Sequence, residues 1–338
     1  MSIIDTFNRP LRDLRISLID RCNFRCPYCM PSEKYHHAYQ FLDKKQWLSF
    51  EEIERLARIF VGLGVSKLRL TGGEPLLRPN LDGLIRQLSV IPGIEDLALT
   101  TNGSMLVQWA QRLKAAGLGR LTVSLDTLDK TIFHRMSGEK GSIQDVLEGI
   151  HTAEAAGFVS IKINAVIQRG INDHTILDLV KYFRGTPHSV RFIEYMDVGN
   201  QNHWDNAQVV PSGEIISLID AEFPLERIKG TQGGDTSEIY RFKDGQGEVG
   251  FISSVTKAFC GTCNRLRLSA DGKMYTCLFA AHGIDLGKHL RSGASDEFLS
   301  HLIRVVWMKR EDRYSELRSE LRSHSHSSPK VEMYQIGG

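Results

Sequence analysis

DLRISLIDRCNFRCPYCMP, residues 13 to 31, begins with strand-like alternation and ends with three cysteines inside eight positions, Cys22, Cys26 and Cys29. Apolar and polar side chains alternate over LRISLI (14 to 19), the period of a half-buried strand. The cysteines follow at once, so whatever they hold belongs at the mouth of the first strand. The same strand-then-helix reading recurs along the chain. Further strands are KLRLT (67 to 71), DLALTT (96 to 101), RLTVSLD (120 to 126), VSIKINAVI (159 to 167) and SVRFIEYM (189 to 196). A capping box, Ser49 with Glu52, announces one of the intervening helices. Six βα units in series predict a parallel sheet, either a partial (βα)6 barrel of TIM type or a doubly wound sheet. Functional loops are then expected after the strand ends.

Beyond about residue 211 the alternation gives way to short β-runs, SEIYRF, EVGFISS and RLRLSADGKMYTCLF, the last with an Asp271-Gly272 hairpin signal. We therefore expect a barrel over residues 1–210 and a smaller C-terminal α+β layer over 211–338 closing its open side. A helix is expected near 295 to 310. SHSHSSPK (323 to 330) reads as a flexible polar segment, and the chain ends in Gly337 and Gly338.

Basic and acidic residues nearly balance, 42 against 40, which argues against a global polyanion-binding surface and hence against nucleic acid as the partner. Any anion site must be local. No apolar run approaches membrane-spanning length and the first residues lack a signal-peptide core, so a cytoplasmic, non-membrane protein is expected. In that reducing compartment six cysteines point to metal or redox chemistry. They are used as two triplets, the second being Cys260, Cys263 and Cys277. Zinc would need a fourth ligand, with His36 or His37 available to the first set and His282 to the second. A [4Fe–4S] cluster at each triplet is the other reading, with one iron left open to a small molecule.

The strands also carry an unusual cationic pattern. Lys67 and Arg69 alternate with leucines, as do Arg265 and Arg267; Lys162 and Asn164 alternate with isoleucines, Arg15 lies between Leu14 and Ile16, and Arg191 is in the sixth strand. Parallel strands covered by helices are normally continuous apolar runs. Cations on one face of several such strands imply an interior surface built for an anion, and a nucleoside triphosphate fits. No GxxxxGK[ST] loop is present, so side chains would have to hold the phosphates.

The second strand ends in Thr71-Gly-Gly-Glu-Pro75. Together with Cys-x3-Cys-x2-Cys after the first strand, it resembles the radical S-adenosylmethionine (SAM) superfamily. LTTNG, SLDTLD, INAVIQRGIND, RFIEYMDVGN, FCGTCNRLRLSADGKMYTCLF and the terminal GG narrow the resemblance to the MoaA family of GTP 3′,8-cyclases, nearly end to end. SLID (17 to 20) stands where that family more often has SVTD, and the loop SEKYHHAYQF (32 to 41) is a second departure. The resemblance implies two [4Fe–4S] clusters, at Cys22, Cys26 and Cys29 and at Cys260, Cys263 and Cys277. It implies SAM at Tyr28, Gly72, Gly73, Glu74, Ser124, Arg191 and Met196. GTP contacts are implied at Arg15, Lys67, Arg69, Thr100, Lys162, Arg265, Leu266 and Arg267, with Arg265, Arg267, Gly337 and Gly338 serving catalysis.

The activity so implied opens molybdenum cofactor biosynthesis. An external low-potential electron donor starts SAM cleavage, hydrogen leaves C3′ of GTP, and the sugar carbon joins C8 of the base. A link to the next enzyme, cyclic pyranopterin monophosphate synthase, is expected, in a monomer or homodimer. Two rivals are a radical SAM enzyme modifying a peptide with an auxiliary cluster, and a two-site zinc protein binding RNA through its basic strands.

Overall fold

The six expected strands form in the expected order. In the computed structural model, which describes residues 2–228, 236–323 and 329–337, they are β1 (Asp13–Ser17), β2 (Lys67–Thr71), β3 (Asp96–Thr101), β4 (Arg120–Ser124), β5 (Lys162–Ile167) and β6 (Ser189–Glu194). All neighbours in this run are parallel. The fold is that of a partial TIM-type barrel. β1, β4 and β6 each end two residues short of the expected runs, while the Leu18 and Leu125 amides still donate to the neighbouring strands, at 2.9 Å each. β5 starts only at Lys162, since Val159 is exposed.

Each strand has two different faces. Leu14, Ile16, Leu68, Leu70, Ile163 and Ala165 are buried toward the covering helices, each leucine or isoleucine contributing about 2 kcal/mol. Helices such as Phe50–Gly62 and Leu81–Ser89 present matching apolar stripes. The Ser49–Glu52 capping box forms as read from the sequence. The opposite faces carry the cations. Arg15 stands in register with Arg69 on one side and Arg267 on the other.

The C-terminal segment joins this sheet at both edges. β7 (Leu225–Ile228), β8 (Glu238–Phe242) and β9 (Glu248–Ile252) form an antiparallel meander whose last strand lies parallel to β6. β10 (Arg265–Leu268) lies parallel to β1, followed by antiparallel β11 (Lys273–Tyr275) and β12 (Ile284–Asp285). The Asp271-Gly272 hairpin connects β10 to β11. Among the described residues, twelve strands thus make one sheet. Between β9 and β10 the chain has to cross from one edge of the barrel to the other. It does so over residues 253–264, which bring Cys260 and Cys263 across the opening. The expected helix near 295 to 310 is Asp296–Met308. Residues 324–328 of the SHSHSSPK segment lie outside the described residues. Among the described residues no helix is long and apolar enough to cross a membrane.

One buried carboxylate ties the crossing to the barrel. Glu194, at the end of β6, is completely buried and accepts from the amides of Ser212, Val255 and Thr256 at 2.8 Å and from the Thr256 hydroxyl at 2.5 Å. Glu194→Ala removes the acceptor of all four donors and is expected to cost about 3 kcal/mol. Glu194→Gln keeps one carbonyl oxygen and should cost less. Denaturant unfolding of the apo-protein checks both; an unchanged midpoint for Glu194→Ala would show that the crossing is held elsewhere.

Candidate active site

Both cysteine triplets line a single cavity. Its empty volume is about 1840 Å³, counting the solvent at its mouth. All six thiols are free and partly exposed. The first triplet leaves β1 in a tight turn, where the amides of Cys29 and Met30 both donate to the Cys26 carbonyl, at 2.9 and 2.8 Å. Arg25 braces that turn from behind, donating to the carbonyls of Cys22 and Tyr35 at 2.7 and 2.8 Å. The second triplet starts in a single 3-10 turn, Cys260–Thr262. Its backbone is gripped by Arg9, which donates to the Cys260 carbonyl at 2.8 Å, and by Arg310, which donates to the Cys263 carbonyl at 2.7 Å.

The two triplets differ electrostatically. Burial pushes the Cys22 thiol up to about 12, and the Glu74 carboxylate adds to the rise. Cys26 and Cys29 are also raised, chiefly by burial. Cys277 is pushed up to about 11 by burial, with Asp312 contributing. Cys263 is the exception: burial raises it, but the guanidinium groups of Arg265 and Arg310 outweigh that and bring it down to about 6. Both donate to its sulfur, at 3.3 and 3.4 Å. Among the described residues no three His, Cys, Asp or Glu side chains are grouped to hold a single metal ion. A four-iron cubane makes a different demand, one thiolate on each of three irons.

Between the triplets lies the cationic wall. Arg15, Arg69, Arg191, Arg265 and Arg267 all line the cavity. Burial and the neighbouring Arg267 lower Arg15; burial and Arg265 lower Arg267 to about 10. Lys162 is brought down to about 7 by burial and then by Arg191, Arg120 and Arg69. Arg69 is aimed by two hydroxyls, donating to Thr100 and Thr122 at 3.2 and 3.1 Å. The buried Nε atoms of Arg15, Arg69 and Arg265, and Oδ1 of Asn164, have no partner among the described residues. Buried donors without partners are rare in a folded protein, and here they face a cavity.

Tyr28, Gly72, Gly73, Thr100, Ser124 and Met196 also line the cavity. Gly73 packs so closely that a Cβ there would collide with the Arg21 carbonyl, which explains the demand for glycine at that position. Glu74 is placed differently from the sequence expectation. It is fully buried behind the loop, accepting from the Leu76 and Asn102 amides at 3.0 and 2.8 Å and from the Thr101 hydroxyl at 2.8 Å. Burial holds its pKa near 7 against those bonds. It fastens the β2 loop to the β3 loop. Lys67, Lys162 and Leu266 stand on strands of the site without lining the cavity, and Leu266 is fully buried toward the helices. Gly337 is buried beside the cavity and its carbonyl accepts from Arg267; Gly338 lies outside the described residues.

Sequence reasoning missed Thr122, Asp126, Arg310 and Tyr334, all at the cavity. Thr122 follows the same alternation as its neighbours and was recoverable. Asp126 accepts from the Tyr28 hydroxyl at 2.7 Å and the Val166 amide at 2.8 Å, and burial pushes it up to about 6. It lies in the SLDTLD motif but carries no spacing signal of its own. Arg310 reaches Cys263 across 47 residues of chain, which no local pattern encodes.

Residues 16–183 match the family described as Radical SAM superfamily, and residues 188–316 that described as Molybdenum Cofactor Synthesis C. A GTP 3′,8-cyclase from Xanthomonas axonopodis pv. citri (strain 306) is 51% identical over 334 residues, 99% of this chain and 98% of that one. One from Staphylococcus carnosus (strain TM300) is 45% identical over 337 residues, 99% of each chain. Among solved structures, Streptococcus suis SuiB bound to S-adenosylmethionine superposes with a TM-score of 0.61, covering 97% of this chain and 78% of that one at 14% identity; it shares the fold. Neither the peptide-modifying nor the zinc reading is favoured by these findings. A [4Fe–4S] cluster and SAM are the cofactors of the superfamily matched here. With identities of 45% and 51% spread over nearly every residue, the chain belongs to the GTP 3′,8-cyclase family of the radical SAM superfamily.

Proposed function

We propose that the chain converts GTP to (8S)-3′,8-cyclo-7,8-dihydroguanosine 5′-triphosphate, the first step of molybdenum cofactor biosynthesis. The observation that carries this reading is the arrangement of the cavity, with two thiol triplets and a wall of buried, partly unpartnered cations between them. The donor set at Cys22, Cys26 and Cys29 fits a cluster held by three thiolates with one iron open. Cys260, Cys263 and Cys277 fit a second. When bound, the first cluster and SAM supply the hydrogen-abstracting radical chemistry, which is the cofactors' own.

The chain's residues orient and enclose. Gly72 and Gly73 offer backbone at close range for the SAM methionine, with Tyr28, Ser124, Arg191 and Met196 around the rest of that molecule. Glu74 holds this loop in place from behind. Arg15, Arg69 and Arg267 neutralise the triphosphate from the cavity wall, Thr100 aims Arg69, and Lys162, on β5 beside the cavity, adds its charge at longer range. Lys67 adds charge at the start of β2, and Leu266 can serve only through its backbone. Arg265, beside the Cys263 sulfur, places the base against the second cluster. Fixing both reactants in one enclosed cavity replaces a bimolecular encounter with a positioned one. Residues 1–210 supply the SAM residues and the triphosphate cations of β1, β2 and β5, and residues 211–338 supply Arg265, Arg267 and the second thiol triplet. An external low-potential electron donor and transfer of product to cyclic pyranopterin monophosphate synthase, both in the cytoplasm, complete the reading.

Two measurements test it. Iron and sulfide analysis after anaerobic reconstitution should give two clusters in the wild type and one in a Cys260, Cys263, Cys277→Ala variant, with product formed only by the former. Unchanged iron in the variant would remove the second cluster. The Lys162 ammonium, at about 7 in the free protein, must regain its proton when a polyanion arrives. A lowered lysine pKa means the neutral form prevails above about pH 7, so GTP binding at about pH 8 should take up nearly one proton and uptake should fade below about pH 6. Calorimetry in buffers of different ionisation enthalpy reads this directly. The same uptake in Lys162→Met would place the titrating group elsewhere.

A further inference from the structure

The loop that departs from the family pattern, residues 32–41, packs against the C-terminal tail. Tyr334 is 2% exposed and shares a buried cluster with Met30 and Tyr35, against which Tyr39 and Phe41 also pack. Its ring stands edge-on to Tyr35 at 5.1 Å and to Phe41 at 6.3 Å, and its hydroxyl meets that of Tyr39 at 3.1 Å. This socket is continuous with the first thiol loop. Arg25 holds it there, donating to the Tyr35 carbonyl and to Met30 Sδ, at 2.8 and 3.4 Å, with its guanidinium 5.8 Å from the Phe41 ring.

The tail is docked on both sides of Tyr334. Upstream, Lys330 donates to Asp197 Oδ2 at 3.0 Å, and Asn200 bonds both Lys330 and Glu332. Downstream, Ile336 is fully buried and Gly337 sits at φ 71°, its carbonyl on the Arg267 guanidinium. A Cβ at Gly337 would collide with the Thr71 methyl. Only Gln335 and Ile336 separate Tyr334 from Gly337, so the position of the ring sets the reach of the tail.

We propose that residues 32–41 form an aromatic socket in which Tyr334 acts as a positioning residue, fixing how far Gly337 enters the cavity and joining the tail mechanically to the first thiol loop. Tyr334 acts through Gly337 and Arg267. Edge-on packing of the Tyr334 ring against Tyr35 and Phe41, with the hydroxyl contact to Tyr39, holds the middle of the tail. The loop sequence SEKYHHAYQF thereby gains a role that its departure from the family pattern left open.

The test uses the reconstituted full chain. Hydrogen exchange of the amides of residues 331–337 should quicken at least about tenfold in Tyr334→Ala and much less in Tyr334→Phe, which keeps the ring. Tyr39→Phe and Tyr334→Phe each remove one side of the same hydroxyl contact, so the double variant should exchange no faster than either single one. In turnover, which rests on the cyclase reading, the ratio of cyclised product to 5′-deoxyadenosine should fall about tenfold in Tyr334→Ala at unchanged iron content and recover in Tyr334→Phe. Unchanged tail exchange in Tyr334→Ala would overturn the socket. A loosened tail with an unchanged product ratio would overturn the positioning role. A wild type that forms no cyclised product would instead count against the cyclase reading, and the exchange arm would still decide the socket.

Discussion

Three arginines stand side by side on adjacent parallel strands, Arg267 on β10, Arg15 on β1 and Arg69 on β2, all facing one cavity. Like charges in register oppose sheet formation, and burying them adds desolvation. The fold meets that cost on the other face of the same strands, where leucines and isoleucines pack beneath the helices. Within the cavity the relief is incomplete: Asp13 favours the charge of Arg15 and Arg69, yet burial still lowers both. The site is therefore preorganised for a polyanion, at the expense of its own stability when empty. The strands that flank β1 and β6 come from the C-terminal segment, which brings the second thiol triplet with it.

The two triplets differ at one sulfur, Cys263, which its neighbours lower while Cys22, Cys26, Cys29 and Cys277 are raised. Carboxylates of Glu74 and Asp126 lie near the first, and guanidinium groups donate to a sulfur of the second. Charge-assisted bonds to sulfur ease reduction, and neighbouring carboxylates oppose it. The same chain thus prepares unlike surroundings for its two thiol triplets.

Much of this was legible in the sequence because its periods are short. Arg15, Arg69 and Arg267 announce themselves by two-residue alternation among leucines and isoleucines, and the six strands are found where that alternation and the turn residues place them. Glu74 was only half legible: its motif marks the loop, but burial turns the carboxylate inward to hold the backbone. Arg310 was illegible, since its contact with Cys263 depends on where a distant helix ends. The edge-joining of β9 and β10 was equally hidden, because strand length and pattern do not say which neighbour a strand will find. Tyr334 gave no signal either; its partners in residues 35–41 read as an irregular loop until the tail lies against them.

In the proposed reaction SAM and GTP meet in this cavity, and the hydrogen at C3′ of GTP passes to the 5′-deoxyadenosyl group. GTP carrying deuterium at C3′ tests it most directly, incubated anaerobically with the reconstituted, reduced protein and SAM. Deuterium should appear in the 5′-deoxyadenosine formed alongside the cyclised product. Deuterium-free 5′-deoxyadenosine accompanying that product would contradict it.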